Sequence, residues 1–446
     1  MKNTKYIYIL LLTVMAMSCD VLDQEPQSSV ATSEAIVDLQ SAESAVNGLY
    51  DAMQDGDLYG GRGILATEML AENSAATGFQ AFWAELESGS VTPSNFHFED
   101  YWVSAYHAIN SANAIISAVP KVDGIEEEDQ NRMLGTAYFF RAYTFFDLLR
   151  QHGEFFDNAS EFGIPVPLEP SLEVKETPRS TVAASYQQIT DDLTDAIALL
   201  ENQNDRFYAS KAAAQALMAR VALYQGDYTT AASMASDVIG NSTYNLADDY
   251  NEVFTTEGAD ESIMELNFIA LDDPNAWSIE MYTTPPEVAV SDGLVDFLTT
   301  SGNAERGLLF EEIDGYNRCA KYGRAREDEG TNTILFRLSE MYLIRAEALA
   351  MQTGGTPDDA LPDLNAVRNR AGLTNLSSFV SDDAMVTALL NERRAEFAFE
   401  GHYWFDMVRL GRFESITGRA AFRGVNPIPQ REMNITNDVM VQNPGY

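Results

Sequence analysis

The stretch AQALMARVALYQGDYTTAASMASDVI, Ala214 to Ile239, decides how this sequence reads. Small Ala219 stands in its first half, Gly226-Asp227-Tyr228 in its middle and Ala231 in its second half, which is the spacing of a tetratricopeptide helix pair. The small residues let two antiparallel helices approach closely, and the glycine turns the chain between them.

The same helical periodicity extends outward. Residues 33 to 54 place Ile36, Leu39, Ala42, Val46 and Leu49 three or four apart, which predicts a helix on period alone, since Ser33 as a cap lacks the acid three residues on. Residues 99–119, 126–151, 181–201, 211–225 and 228–239 behave likewise, with Pro and Gly at the joints. A second helix pair is expected in LFRLSEMYLIRAEALAMQTGGTPDDALPDLNAVRNRAGL, Leu335 to Leu373, its loop lengthened by QTGGTPDD, and TAYFFRAYTFFDLLRQHG, Thr136 to Gly153, supplies part of a third. The expectation is a mostly α protein with tetratricopeptide-like pairs near 126–153, 181–239 and 335–373, stacked as a scaffold. Two stretches break the pattern: 56–98, rich in Gly, Ser, Asn and Thr, and 247–332, where short strand-like pieces alternate with turns. Loops on a rigid scaffold are where binding residues concentrate.

The chain opens MKNTKYIYILLLTVMAMSCD. Lys2 and Lys5 precede an apolar run from Tyr6 to Met17, which is shorter than the ~20 residues of a spanning helix and reads as a secretory leader. A small residue before Cys19 is what lipoprotein processing requires. The expected organisation is a leader over 1–18, a lipidated tether over 19–32 with Cys19 as the modified residue, and a single domain over 33–446. Extended, Asp20 to Thr32 would reach ~40 Å. Cys319 is the other cysteine, so a modified Cys19 leaves no internal disulfide, and a chain of 446 residues buries a large core without one. No further run of 18 apolar residues occurs.

With 28 Lys plus Arg against 68 Asp plus Glu, the net charge is −40. Nucleic acid is thereby excluded as a partner, and polyanionic polysaccharides are disfavoured. The four histidines, His97, His107, His152 and His402, never pair at metal-helix spacing, and HExxH, CxxC, GxSxG and GxxxxGK[ST] strings do not occur. No catalytic residue, metal or cofactor is expected.

FEGHYWFDMVRLGR, Phe399 to Arg412, crowds a histidine, a tryptophan, a carboxylate and two arginines together. Its surroundings read as a helix from about Ala384 to Glu400, stopped by Gly401, then a second ended by Gly411. Leu389, Arg393, Phe397 and Glu400 would share one face of the first. Asp406 and Arg409, three apart, can pair along their own helix, and Glu396 can meet an arginine in the same way. Packing, not chemistry, is the expectation.

At these residues the sequence resembles the SusD/RagB family of outer-membrane nutrient-binding lipoproteins. ERRAEFAFEGHYWFDMVRLGR and the ending NPIPQREMNITNDVMVQNPGY look like its C-terminal signatures; EEEDQNRMLGTAYFFRAYTFFDLLRQHG, FGIPVPL and RLSEMYLIRAEAL are similar to earlier segments. The resemblance implies a right-handed superhelical scaffold and a surface-exposed, lipid-anchored outer-membrane protein. It implies a non-enzymatic glycan binder that passes oligosaccharide to a SusC-like TonB-dependent transporter.

A sugar needs rings to stack on and amides or carboxylates to hydrogen-bond. Of four tryptophans, Trp404 falls in the signature helix and Trp102 in phase with Tyr106, Ile109 and Ile116, so both belong to the core. Trp83 and Trp277 fall in the irregular regions and are the expected platforms, with Phe79, Phe82, Tyr59 and Tyr282 as further rings and Asn73 or Gln80 as hydrogen-bonders. A basic cluster, Arg318, Lys321, Arg324 and Arg326, reads as structural rather than as an acidic-sugar site. Net charge favours a neutral glycan. Two other readings stay open: a tetratricopeptide scaffold that binds protein only, and a binder of peptide or another nutrient.

Overall fold

The computed structural model describes residues 35–173, 176–269, 276–307, 310–322, 331–437 and 439–446. The leader, Cys19, the tether, and Arg324 and Arg326 lie outside the described residues.

The chain begins with α1 (Leu39–Met53), α2 (Arg62–Leu70), β1 (Ser74–Ala76) and α3 (Ala81–Ser88). Long helices follow: α4 (Phe96–Ala118), α5 (Glu127–His152), α6 (Val182–Leu199), α7 (Lys211–Gln225) and α8 (Tyr228–Ile239). A region of short pieces contains α9 (Glu252–Thr255), β2 (Ser262–Leu266), α10 (Ala276–Met281), β3 (Val288–Val290), α11 (Asp292–Thr300), α12 (Ala304–Gly307), β4 (Phe310–Ile313), β5 (Tyr316–Cys319) and β6 (Thr333–Arg337). The chain then returns to helices: α13 (Leu338–Met351), α14 (Leu361–Arg370), α15 (Asp382–Glu396), α16 (Tyr403–Arg409), α17 (Phe413–Thr417) and α18 (Gln430–Ile435).

The quoted pair forms as its spacing predicts. Ser210 caps α7 by accepting from the Ala213 amide at 3.1 Å, and Asp227 caps α8 by accepting from Thr230 at 3.1 Å. Between them Gly226 sits at φ +78, a left-handed turn that glycine enters without strain. A Cβ there would meet nothing within 4 Å, so backbone conformation rather than space demands the glycine. Ala213, Ala214, Ala216, Ala219 and Ala231 are buried, which brings the two backbones together.

Helices pack in the sequence α1, α4, α5, α6, α7, α8, α13, α14, each mainly against the next. Their joint is one continuous core running from Ile36 to Met440, with a satellite cluster around Leu343, Leu364 and Leu389 under α13 to α15. Arg345 on α13 grips Asp363 on α14 with two bonds of 2.7 Å, a bidentate clasp that fixes that pair despite its long loop.

The expected helix starts and stops move in places. α1 begins at Leu39, not residue 33, because Asp38 and Ser41 form a reciprocal cap. α15 ends at Glu396, four residues short of the expected Glu400: Phe397 leaves the helical conformation at φ −105 and Phe399 takes φ +64, so Phe397 and Glu400 do not continue the helical face of Leu389 and Arg393. The 56–98 stretch is more helical than its composition suggests, holding α2 and α3. Among the described residues strands are few and occur as three antiparallel pairs, β1 with β3, β2 with β6 and β4 with β5. The β4–β5 hairpin turns on Asp314 and Gly315, both at positive φ (+55 and +83), as a two-residue turn demands. Among the described residues no helix is long and apolar enough to cross a membrane.

The signature stretch is packed as expected, but its ion pairs are longer in range. Asp406 does pair with Arg409 (2.9 Å) and also with Arg393 (2.7 Å). Glu396 pairs with no arginine of its own helix; it receives Arg306 at 2.6 Å, Arg337 and Arg370. Arg337 also reaches Glu261 (2.9 Å) and Glu400 (2.7 Å), and Lys321 reaches Glu400 (2.7 Å). Burial alone would raise the Glu396 carboxyl, but Arg370, Arg337 and Arg306 hold it well below the usual carboxylate range. Lys321 and Arg318 of the basic cluster are buried, as a structural role requires.

Candidate functional site: the turn that carries Phe79

Pairing of β1 with β3, Ser74 opposite Val290 and Ala76 opposite Val288, lays the turn 77–80 beside residues 280–287. Glu287 then clamps that turn. Its carbonyl accepts from the Thr77 amide at 3.0 Å, and its carboxylate accepts from the Gln80 amide at 3.0 Å. Thr77 adds a hydroxyl bond of 2.7 Å to the Pro286 carbonyl. A Cβ on Gly78 would fall 2.1 Å from the Glu287 carboxylate, so only glycine leaves room for the clamp. Held by this turn, the Phe79 ring is 91% exposed. An apolar ring that large stays in water here although the turn beneath it is fixed.

Next to it lies a carboxylate junction. Glu280, buried on α10, accepts from Arg62 Nε at 2.8 Å, from Trp83 Nε1 at 2.9 Å and from the Gln80 side chain at 3.3 Å. Arg62 also pairs with Asp57 at 3.2 Å, and both side chains remain partly exposed. Burial would lower the Arg62 pKa, but the bonds to Glu280 and the charge of Asp57 outweigh it and hold it above the usual value. Arg62 thus stays cationic, and Asp57 and Gln80 add an acceptor and an amide beside an exposed ring.

The expected site residues divide. Phe79, Gln80 and Tyr282 keep exposed surface in this region. The Tyr282 hydroxyl donates to the Cys319 carbonyl, tying α10 to the end of β5. Trp83 and Trp277, expected as stacking platforms, are corrected by burial: they are 0% and 1% exposed. Residues 81–88 form a helix, α3, whose inward face carries Phe82, Trp83 and Leu86, so Phe82 is buried for the same reason. Trp83 packs against Phe82 (4.6 Å) and His97 (6.0 Å). Trp277 lies on α10, stacked at 3.6 Å and 10° on Tyr322. Gly61, at φ +136, approaches it so closely that a Cβ would sit 3.3 Å from the indole. Tyr59 and Asn73 are corrected likewise. The Tyr59 hydroxyl joins that of Tyr101 on Asp147, at 3.0 and 2.7 Å, and Asn73 bridges Glu68 (2.8 Å) and Arg394 (3.0 Å). Among the described residues no cluster of His, Cys, Asp and Glu suits a metal ion.

Arg62, Asp57, Glu280 and Glu287 were not singled out by sequence. The pairings of Glu280 span 197 to 218 residues, and no local pattern announces a contact at that range.

Comparison with known proteins agrees with the fold. Residues 20–223 match the SusD-like family described as starch-binding associating with outer membrane. SusD-like protein P2 of Formosa agariphila is 26% identical over 515 aligned positions, covering all of both chains. A solved SusD superfamily protein of Bacteroides thetaiotaomicron superposes with a TM-score of 0.80 at 25% identity, over 92% of this chain and 100% of that one. Surface glycan-binding protein A of the same organism, solved with laminarihexaose, shares the fold at a TM-score of 0.75 and 20% identity, over 91% and 100% of the two chains. Motif order, helical stack and these likenesses agree: the chain matches the SusD-like family over residues 20–223 and has the fold of the SusD superfamily.

Proposed function

We propose that this protein is a non-catalytic, glycan-binding lipoprotein, anchored through Cys19 on the outer face of the outer membrane. It captures oligo- or polysaccharide at the Phe79 turn and hands it to a SusC-like TonB-dependent transporter. The family description, starch-binding and associated with the outer membrane, supports the glycan class and the location. The observation that carries the site is the 91% exposed Phe79 ring on a turn clamped by Glu287. Such a ring offers a large, rigid apolar surface to the C–H face of a sugar, and a turn already fixed loses little freedom on binding. Gln80, Asp57 and Arg62 supply hydrogen bonds at the sugar's edge. Net charge of −40 favours a neutral glycan.

The test is affinity electrophoresis and calorimetry of parent and Phe79→Ala against starch, laminarin, mannan, fructan and acidic polysaccharides. Retardation of the parent by one of the neutral polymers, weakened about tenfold in Phe79→Ala, is expected. Absence of retardation by every polymer would return the chain to the protein-binding reading. Cys19→Ser should shift the protein from the membrane fraction to the soluble one.

A further inference from the structure

A second concavity lies away from the Phe79 turn and shares no lining residue with it. It is a groove of ≈ 260 Å³ between α4, the segment 165–173 with Thr177, and the C-terminal helix α18. Its floor is Trp102, buried and packed on Tyr106 at 5.0 Å. The Tyr106 hydroxyl donates to the Pro165 carbonyl at 2.8 Å, which fixes that ring, and Val103 stands at the rim, 41% exposed.

The polar groups converging there are mostly acceptors. Glu432 lines the groove, half-buried; burial raises its carboxyl, opposed by Arg431 and by the Trp102 N–H. Glu169 and Glu173 line it as well. Asn110 accepts from the Ser171 amide at 2.8 Å with its oxygen, which leaves its amino group as what it has to offer. Three carboxylates against Arg431 reject an anion. A donor-rich, uncharged ligand with one apolar face fits both the rings and the acceptors.

We infer that this groove is a second saccharide site, holding one or two sugar units of a neutral oligosaccharide independently of Phe79. The inference rests on the glycan reading above. Two separated sites on one chain let a long polymer be held at two points, which multiplies avidity without new contacts at either.

The experiment labels the full chain with 5-fluorotryptophan, assigns Trp102 through Trp102→Phe, and titrates maltohexaose, laminarihexaose, cellohexaose and mannohexaose into Phe79→Ala by ¹⁹F NMR. A saturable shift of the Trp102 resonance with at least one hexaose, and no shift of Trp404, is expected. Val103→Arg, an exposed change that fills the rim, should abolish it, and Glu432→Gln should weaken it. Silence of Trp102 with every hexaose while the parent is still retarded by a polysaccharide would overturn this site and leave the Phe79 reading standing. A shift that survives Val103→Arg, or one produced by trilysine and by no sugar, would also overturn it.

Discussion

The cluster around Glu396 and the junction around Glu280 are both built from carboxylates and arginines, yet only one of them reaches the surface. Around Glu396, four acids (Glu261, Glu392, Glu396, Glu400) meet four cations (Arg306, Lys321, Arg337, Arg370), with every one of these side chains at most 5% exposed. Around Glu280 the acid is buried, but its arginine partner is 29% exposed and an adjacent ring is almost wholly so. Charged side chains are therefore no guide to function in this molecule. What separates the two regions is whether each group has spent its hydrogen-bonding capacity inside the fold.

That contrast can be broken by experiment. Glu396→Ala leaves three arginines facing a hole, and loss of a buried partner costs ~3–5 kcal/mol; denaturant melts should show that loss, or no folded product. Trp83→Ala should cost ~3–5 kcal/mol through its cavity and reduce glycan retention only in step with folding. A folded Trp83→Ala that has selectively lost its glycan would restore Trp83 to the site. Phe79→Ala should do the reverse, changing stability by less than ~0.5 kcal/mol and affinity by about tenfold.

Acid should test the packed side alone. Burial lowers the pKa of His97 and of His152 to about 3, from 6.5. The unfolded chain therefore takes up these protons first, so their contribution is whole above pH 6.5 and declines as pH falls towards 3, by ~1.4 kcal/mol per unit for each histidine. His97→Phe should flatten the stability profile between pH 6 and 5, read from urea midpoints. The smallest effect is expected from Gly78→Ala: displacing the Glu287 carboxylate frees the turn at a cost of ~1 kcal/mol, seen as a modest loss of glycan affinity in a stably folded protein.

Legibility followed the range of the interactions. α7 and α8 were readable to the residue because caps, glycine turn and alanine spacing are all local. α15 was overextended because Phe397 to Glu400 keep helical composition while Phe399 turns left-handed, a tertiary decision. Gly and Pro near Trp83 and Trp277 read as loops that would expose both rings, whereas the short helices α3 and α10 turn them inward. Phe79, expected beside them as a further ring, stays exposed where they are buried, and only the strand pairing of residues 74–76 with 288–290 distinguishes it.

That pairing also sets an order in time. Phe79 emerges early in synthesis, but its clamp, Glu287, and the junction acid, Glu280, follow about two hundred residues later, and Gly401, which anchors α2 through Glu68, lies 333 residues beyond its partner. Helical pairs such as α7 and α8 close over short loops and can form quickly, whereas contacts this distant close late. The face around Phe79 is thus completed only when nearly the whole chain is present, and a polypeptide interrupted before residue 280 would carry Phe79 without Glu280 or Glu287 to hold its turn.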